Sequence, residues 1–141
     1  MADLISHRQL KVTCETIAKA AEGVSHWGWD AYLNAALAVF PATASTQVAT
    51  LLAKVLPWGW DAKTVGQAPA PVAAQAQVLG GMRVGQRLFT SDTDHGALVF
   101  AAWWPWGDGK KISLRVGVIC PGRPDTELAA LKKELRAWFQ I

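Results

Sequence analysis

The spacing of the apolar residues changes along the chain, and this change limits the possible folds more than any other feature. Up to residue 56 the apolar residues recur every three or four positions, which is the spacing of an amphipathic helix. From Met82 to Ile119 three short runs alternate or are wholly apolar, and turn-forming residues separate them, which is typical of antiparallel strands. The sequence therefore predicts an α+β domain.

Three helices are predicted in residues 1–56, which we treat as a helical half. They cover residues 3–22, 30–40 and 45–56. Asp30 and Ser45 are the expected N-caps of the second and third helices, and Pro41 is expected to end the second. The third helix has an apolar stripe that is wide for a surface helix, so we expect it to be central.

A three-stranded antiparallel meander and a C-terminal helix are predicted for residues 82–141. The strands cover 82–90, 97–104 and 111–119, and the helix covers 125–139. The middle strand is apolar on both faces and is expected at the centre, with the two arginine-bearing strands at the edges. Residues 57–81 are rich in Gly and Pro and are expected to be a linker with one short helix near 72–79.

Length and composition favour one domain, residues 1–141, without a membrane span. The 51% of hydrophobic residues can form a core, and only 18% are charged. Residues 31–53 carry no charge, but Pro41 divides them into pieces too short to cross a bilayer. Cys14 and Cys120 show no metal-ligand spacing and no leader peptide is expected, so the sequence favours a cytoplasmic location.

Tryptophan is unusually frequent, with eight residues against four Phe and one Tyr. Seven of the eight lie within two residues of a Gly or Pro at predicted element ends, where an indole can close a core or form a binding wall. In the second case the candidate partner-binding residues are Trp27, Trp29, Trp58, Trp60, Trp104 and Trp106. Trp is enriched among the residues that dominate protein interfaces, so a protein partner is favoured over a stacked sugar or base.

The pentapeptide WGWDA occurs twice, at 27–31 and 58–62. Its aspartates, Asp30 and Asp61, could act as an acid–base pair, but a helix cap and a turn explain them more simply. The loop SDTDHG, residues 91–96, gathers Asp92, Asp94 and His95 and could hold a cation, although such a sequence is also ordinary in a turn. A Ser/His/Asp arrangement using Ser91 and His95 is weaker, because neighbouring loop residues seldom adopt that geometry.

Two glycine motifs do not predict phosphate binding. Gly80, Gly81 and Gly85 lack the spacing of a phosphate-binding loop, and the GDGK sequence at 107–110 is typical of a hairpin turn. Because none of the motifs considered above is a specific signature for a ligand, no cofactor or metal is expected.

The positive charge lies in the second half of the chain. The net charge of +3 arises entirely after residue 70, and Arg83, Arg87 and Arg115 are expected to share the outer sheet face with middle-strand aromatics. Arginines beside an aromatic ring resemble a surface that binds single-stranded nucleic acid. We favour the interpretation that the helices cover this face and that the arginines extend from its rim.

The function predicted from sequence is a non-enzymatic binding or accessory protein that acts through a Trp-rich surface. The partner is another protein or a second copy of the chain. The alternatives are a small-molecule binder with a Trp-walled pocket and a weak nucleic-acid binder that uses the three arginines. An enzyme ranks last, with the 91–96 loop as its only candidate site.

Overall fold

A computed structural model describes the backbone of residues 2–21, 23–91 and 97–141, and the side chains of these ranges from His7 onward. The helices are α1 (Ala2–Ala20), α2 (Ser45–Val55), α3 (Ala70–Val78) and α4 (Asp125–Trp138). The strands are β1 (Gly28–Asp30), β2 (Ala35–Pro41), β3 (Trp58–Asp61), β4 (Arg87–Thr90), β5 (Leu98–Pro105) and β6 (Lys111–Ile119). Within the described ranges, no helix combines the length and apolar character needed to cross a membrane.

The strands form one antiparallel sheet in the order β1-β2-β6-β5-β4-β3. The chain is α+β, but the predicted arrangement of three N-terminal helices on a three-stranded meander is wrong. The meander β4-β5-β6 is present, yet a β1-β2 hairpin extends it beside β6, and β3 extends it beside β4. The arginine-bearing strands predicted at the edges are therefore internal.

The predicted helix 30–40 is a β-hairpin. Asp30 does not cap a helix; its Oδ1 accepts the Leu33 N–H at 3.0 Å in the turn between the strands. Asn34 has a φ of 54°, a conformation that interrupts a helix. Pairing of β2 with β6 overrides the helix propensity of the alanines. The strand directs Phe40 to the first core and Leu37 to the opposite face, whereas a helix would place these two side chains on one face.

The predicted linker, residues 57–81, contains the edge strand β3 and the helix α3. The second WGWD sequence forms β3, which pairs with β4. Val72 and Ala76 of α3 are buried at 0% and 2% exposure. The short helix was predicted, but its packing against the sheet was not, because a nine-residue helix without a charged residue shows no amphipathic pattern.

The sheet separates two cores. On the first face α1, α2 and α4 cover the residues that alternate along β6, namely Ile112, Leu114 and Val116. These helices contribute Ile17, Leu52, Leu135 and other buried residues. On the second face α3 and neighbouring residues cover Leu88, Leu98, Phe100, Ala102 and Ile119. The first face is thus covered by three helices and the second by one.

Candidate functional site

Trp27 and Trp29 pack on the first face of the sheet, against α1 and α4. The indole N–H of Trp27 donates to the Ala18 carbonyl at 3.1 Å, and its ring meets Phe139 edge-on with centroids 4.5 Å apart. The guanidinium of Arg136 lies 5.3 Å from the Trp29 ring. Both tryptophans are partly buried at the margin of the first core, so their surroundings are those of core-closing residues.

Trp58 and Trp60 stack on each other along the edge strand β3. Their ring centroids are 6.2 Å apart and the ring planes differ by 10°. Trp60 packs on the second core, and its indole N–H donates to Thr90 Oγ1 at 3.1 Å. Trp58 is 50% exposed. Trp60 therefore covers part of the second core, while half of the Trp58 side chain stays exposed.

Trp104 and Trp106 lie at the end of β5 and just after it. Trp104 is partly buried beside the second core, whereas Trp106 is 42% exposed. The indole N–H of Trp106 donates to Ser113 Oγ at 2.8 Å, and the ammonium of Lys111 lies 5.3 Å from the Trp106 ring. The hydrogen bond holds the indole in place while its surface stays accessible.

The part of the second sheet face beyond α3 forms what we call the open face. Leu37 and Val39 of β2 are partly exposed there and belong to neither core cluster of the described residues. The strand registers place them beside Arg115 and Ser113 of β6, and Ser113 lies opposite Trp104. The open face consists of Asp30, Leu37, Val39, Trp104, Trp106, Lys111, Ser113 and Arg115.

An ion pair crosses the open face between Arg115 and Asp30. Arg115 Nε donates to Asp30 Oδ2 at 2.9 Å, and the two side chains are only 25% and 16% exposed. Partial burial raises the pKa of Asp30, but the hydrogen bonds from Arg115 and from the Leu33 N–H outweigh it and hold this pKa below its usual value. At neutral pH the two charges therefore neutralise each other.

The three arginines proposed for nucleic-acid binding do not share a face, so that expectation is wrong. The register places Arg87 and Arg115 on opposite faces, because Arg87 is opposite Trp103 and Arg115 is opposite Ala102. The Arg87 guanidinium lies 4.6 Å from the Phe89 ring centroid at the margin of the first core. Arg83 precedes β4 in an exposed segment, where its backbone N–H donates to Gln86 Oε1.

The WGWD repeat supplies both edge strands of the sheet, and its aspartates act in turns. Asp61 Oδ1 accepts the N–H groups of Lys63 and Thr64 at 2.9 and 3.0 Å, as Asp30 Oδ1 accepts that of Leu33. Hydrogen bonds from Lys63 and Thr64 lower the pKa of Asp61. The two aspartates end strands at opposite edges of the sheet, so they do not form an acid–base pair.

The candidate cation loop falls largely outside the described residues, which include neither Asp92, Asp94 nor His95. Ser91 is described, and it continues the β4-β5 ladder: its N–H donates to the Val99 carbonyl and its Oγ accepts the Val99 N–H. Among the residues that the structure describes, no three His, Cys, Asp or Glu side chains are grouped as metal ligands. Gly80, Gly81, Gly85 and Gly109 all have positive φ, as their turn sequences require.

The larger grooves of the described residues lie outside the open face. One groove of 340 Å³ runs between α1 and the end of α4 and is lined by Trp27, Trp138 and Phe139. A small molecule in a pocket with tryptophan walls, the alternative from the sequence, would bind in this groove. The other, of 380 Å³, lies between α3 and α4.

Of the residues on the open face, the sequence analysis names Trp104, Trp106 and Arg115 as binding candidates but not Leu37, Val39, Lys111 or Ser113. The alternation within AALAVF could have indicated Leu37 and Val39, since Ala36, Ala38 and Phe40 face the first core. The helical spacing of Leu33, Leu37 and Phe40 concealed this alternation.

Comparisons with protein-family models, with curated proteins and with solved structures find no match to this chain. Functional inference therefore rests on the geometry of the chain itself.

Proposed function

We propose that this chain is a non-enzymatic binding protein that holds a protein partner on the open face. The observation that carries the proposal is the half-exposed indole of Trp106, which Ser113 fixes beside Trp104 and the partly exposed Leu37 and Val39. A large aromatic side chain that is already held in place loses little conformational freedom on binding. Such residues dominate the binding energy of many protein interfaces.

The open face has the composition of an interface, because it combines apolar side chains with polar groups that are already paired. Leu37, Val39 and Trp104 provide the apolar part, and the Asp30–Arg115 pair provides polar groups that already satisfy each other. Because that pair is preformed, docking a partner over it does not bury an unpaired charge.

The margin near Trp106 favours a partner with acidic groups. Lys110 and Lys111 are exposed in and after the β5-β6 turn, where Asp108 is the neighbouring acidic residue. The excess positive charge would speed association with an acidic surface and would discriminate against a basic one. A protein segment with an apolar centre and flanking Asp or Glu fits this face.

The test compares two exposed tryptophans. Purified chain is immobilised, proteins from the source cells are captured, and each captured protein is then purified and titrated against the wild type, Trp106→Ala and Trp58→Ala. We expect a partner whose affinity falls at least about tenfold with Trp106→Ala and stays within about twofold with Trp58→Ala. The matched control removes an equally large indole, 50% exposed, from the edge strand. If no captured protein loses affinity with Trp106→Ala, the proposal is wrong.

We also propose a cytoplasmic location. Cys14 is buried in the first core and Cys120 is half-buried after β6, and both thiols are free. Unpaired thiols are typical of proteins kept in a reducing compartment. Cell fractionation of the tagged chain tests this location, and recovery in a secreted or periplasmic fraction would contradict it.

A further inference from the structure

The net positive charge of the molecule is concentrated at one end of the sheet. At this end β3 and β5 finish and β4 begins, since Asp61 is opposite Arg87 and Arg87 is opposite Trp103. Five exposed basic side chains lie here and in the neighbouring turns, and we call them the basic end: Lys63, Arg83, Arg87, Lys110 and Lys111. The same turns contain two acidic residues, Asp61 and Asp108, so the basic end accounts for the excess of three positive charges in the whole chain.

Val84 is at the tip of one of these turns, directly before β4. The Gln86 N–H donates to the Arg83 carbonyl at 3.0 Å, and Gly85 has a φ of 89°, so residues 83–86 form a tight turn. Val84 is 97% exposed, with Arg83 and Arg87 on either side of it in the chain. An apolar side chain in full contact with water adds nothing to the core. Packing of the fold therefore does not explain a valine at this tip.

A second exposed apolar side chain lies in the turn between β5 and β6. Trp106 is 42% exposed, and the ammonium of Lys111 lies 5.3 Å from its ring. Tryptophan is enriched at the boundary between a membrane and water, and lysine near that boundary is attracted to anionic lipid. Two turns at one end of the sheet thus each present an apolar side chain beside cations.

We propose that the basic end docks on the surface of a membrane that contains anionic lipid, with Val84 inserted among the lipid headgroups. The negative potential of such a surface attracts clusters of Lys and Arg, and exposed apolar side chains leave water at its boundary. An acidic protein or a nucleic acid would also attract five cations. A fully exposed valine between two arginines favours the membrane, because the headgroup region accepts an isolated apolar side chain together with its neighbouring cations.

Membrane docking does not depend on the proposed function. The basic end lies at the ends of the strands, whereas the open face lies on one flat side of the sheet. Trp106 and Lys111 belong to both surfaces, but Lys63, Arg83 and Val84 do not lie on the open face. Substitutions at these last three residues therefore test membrane docking without altering the partner site.

The test is sedimentation of the full chain with vesicles, either of phosphatidylcholine alone or with about one quarter phosphatidylserine. We expect the chain to bind the mixed vesicles and not the neutral ones, and added salt to weaken the binding. Val84→Asp should weaken it at least about fivefold, because a carboxylate replaces the inserted side chain. Val78→Asp is the matched control and should change it less than about twofold. Val78 is 64% exposed on α3 and lines a groove with Ile119, the last residue of β6.

Removing two cations tests the electrostatic part of the docking. Lys63→Gln combined with Arg83→Gln should weaken binding to the mixed vesicles at least about tenfold, because each basic residue near an anionic surface adds to the attraction. Lys132→Gln combined with Lys133→Gln removes the same charge from exposed positions on α4 and should weaken binding less than about threefold. Circular dichroism of all variants checks that they remain folded.

Absence of binding to the mixed vesicles would overturn the proposal, also if the chain binds soluble heparin. Equal binding to neutral and mixed vesicles would overturn it too. The same holds for equal losses in Val84→Asp and Val78→Asp, or in the two double variants. The partner titration with Trp106→Ala involves none of these substitutions, so membrane docking and the proposed function can fail separately.

Discussion

Gly117 is the glycine, among those that the structure describes, where an added side chain would meet the closest neighbour. It lies opposite Phe100 in the β5-β6 ladder, and a Cβ atom added there would be 2.6 Å from Phe100 Cε1. Phe100 is almost fully buried in the second core, so its ring has little room to move. The absence of a side chain in the middle of β6 is therefore explained by an aromatic ring from the neighbouring strand.

We predict that Gly117→Ala lowers the free energy of unfolding by about 1–3 kcal/mol through overpacking. Urea unfolding of the variant and of Gly59→Ala measures the effect. Gly59 lies in the edge strand β3, and a methyl group added there would have no neighbouring atom within 4 Å, so that variant should be neutral or slightly stabilising. Phe100→Leu should relieve part of the loss in the Gly117→Ala background. Equal stabilities of the two glycine variants would contradict this packing.

Asp30 and Asp61 have equivalent positions in the repeated pentapeptide but different surroundings. Asp30 is 16% exposed and pairs with Arg115, whereas Asp61 is exposed. We predict that Asp30→Asn costs about 1–2 kcal/mol of stability, because Arg115 loses its charged partner while remaining mostly buried. Asp61→Asn keeps an oxygen acceptor for its turn and should change stability little. Chemical unfolding of both variants at neutral pH measures the difference.

The lowered pKa of Asp30 in the wild type makes the stability loss caused by Asp30→Asn depend on pH. The carboxylate contributes its full stabilisation above the unfolded-state pKa of about 3.9, and that contribution is lost as the pH falls through the lower folded-state pKa. The stability difference between wild type and Asp30→Asn should be constant from about pH 5 to about pH 8 and should shrink below about pH 4. A difference that is unchanged in acid would show that the ion pair is not its source.

At the scale of secondary-structure elements, substitutions in α3 test whether this segment is packed on the core or is a linker. Val72→Ala should lower the free energy of unfolding by about 2 kcal/mol, since Val72 is fully buried in the second core. Val78→Ala removes the same two methyl groups from an exposed position and should have almost no effect on the stability of the monomer. Thermal unfolding at low protein concentration measures both. Similar small effects would mean that residues 57–81 behave as the linker that the sequence suggested.

The sequence predicted those elements whose local pattern agrees with their packing. The helices α1, α2 and α4 and the strand β6 have clear apolar periodicity, and the structure places them close to the predicted ranges. The errors fall on the strands β1, β2 and β3 and on the packing of α3, whose short helix was itself predicted. Local propensity favours a helix for the alanine-rich β2, while the pairing that makes it a strand comes from β6, whose paired residues lie 70 to 80 positions later. A four-residue strand such as β3 is too short for a periodic signal.

At the scale of the whole molecule, the unequal coverage of the two sheet faces leaves the open face uncovered by a helix. Three helices cover the first face, while α3 covers only part of the second. The sequence could indicate that tryptophan was in excess, but not which indoles would be exposed. The exposure of each indole depends on the order of the strands in the sheet. The strands β1 and β3 are at opposite edges, and Trp104 faces the side that the three helices do not cover.

Site-specific photo-crosslinking tests the open face most directly as a docking surface. A photoreactive amino acid replaces Val39, which lies beside Ser113 on the open face, or, as a control, the exposed Thr46 at the start of α2. On irradiation of the source cells, we expect a discrete adduct with a different protein from position 39, none from position 46, and loss of the adduct when Trp106→Ala is added. No adduct at position 39, or the same adduct at both positions, would contradict a partner site on the open face.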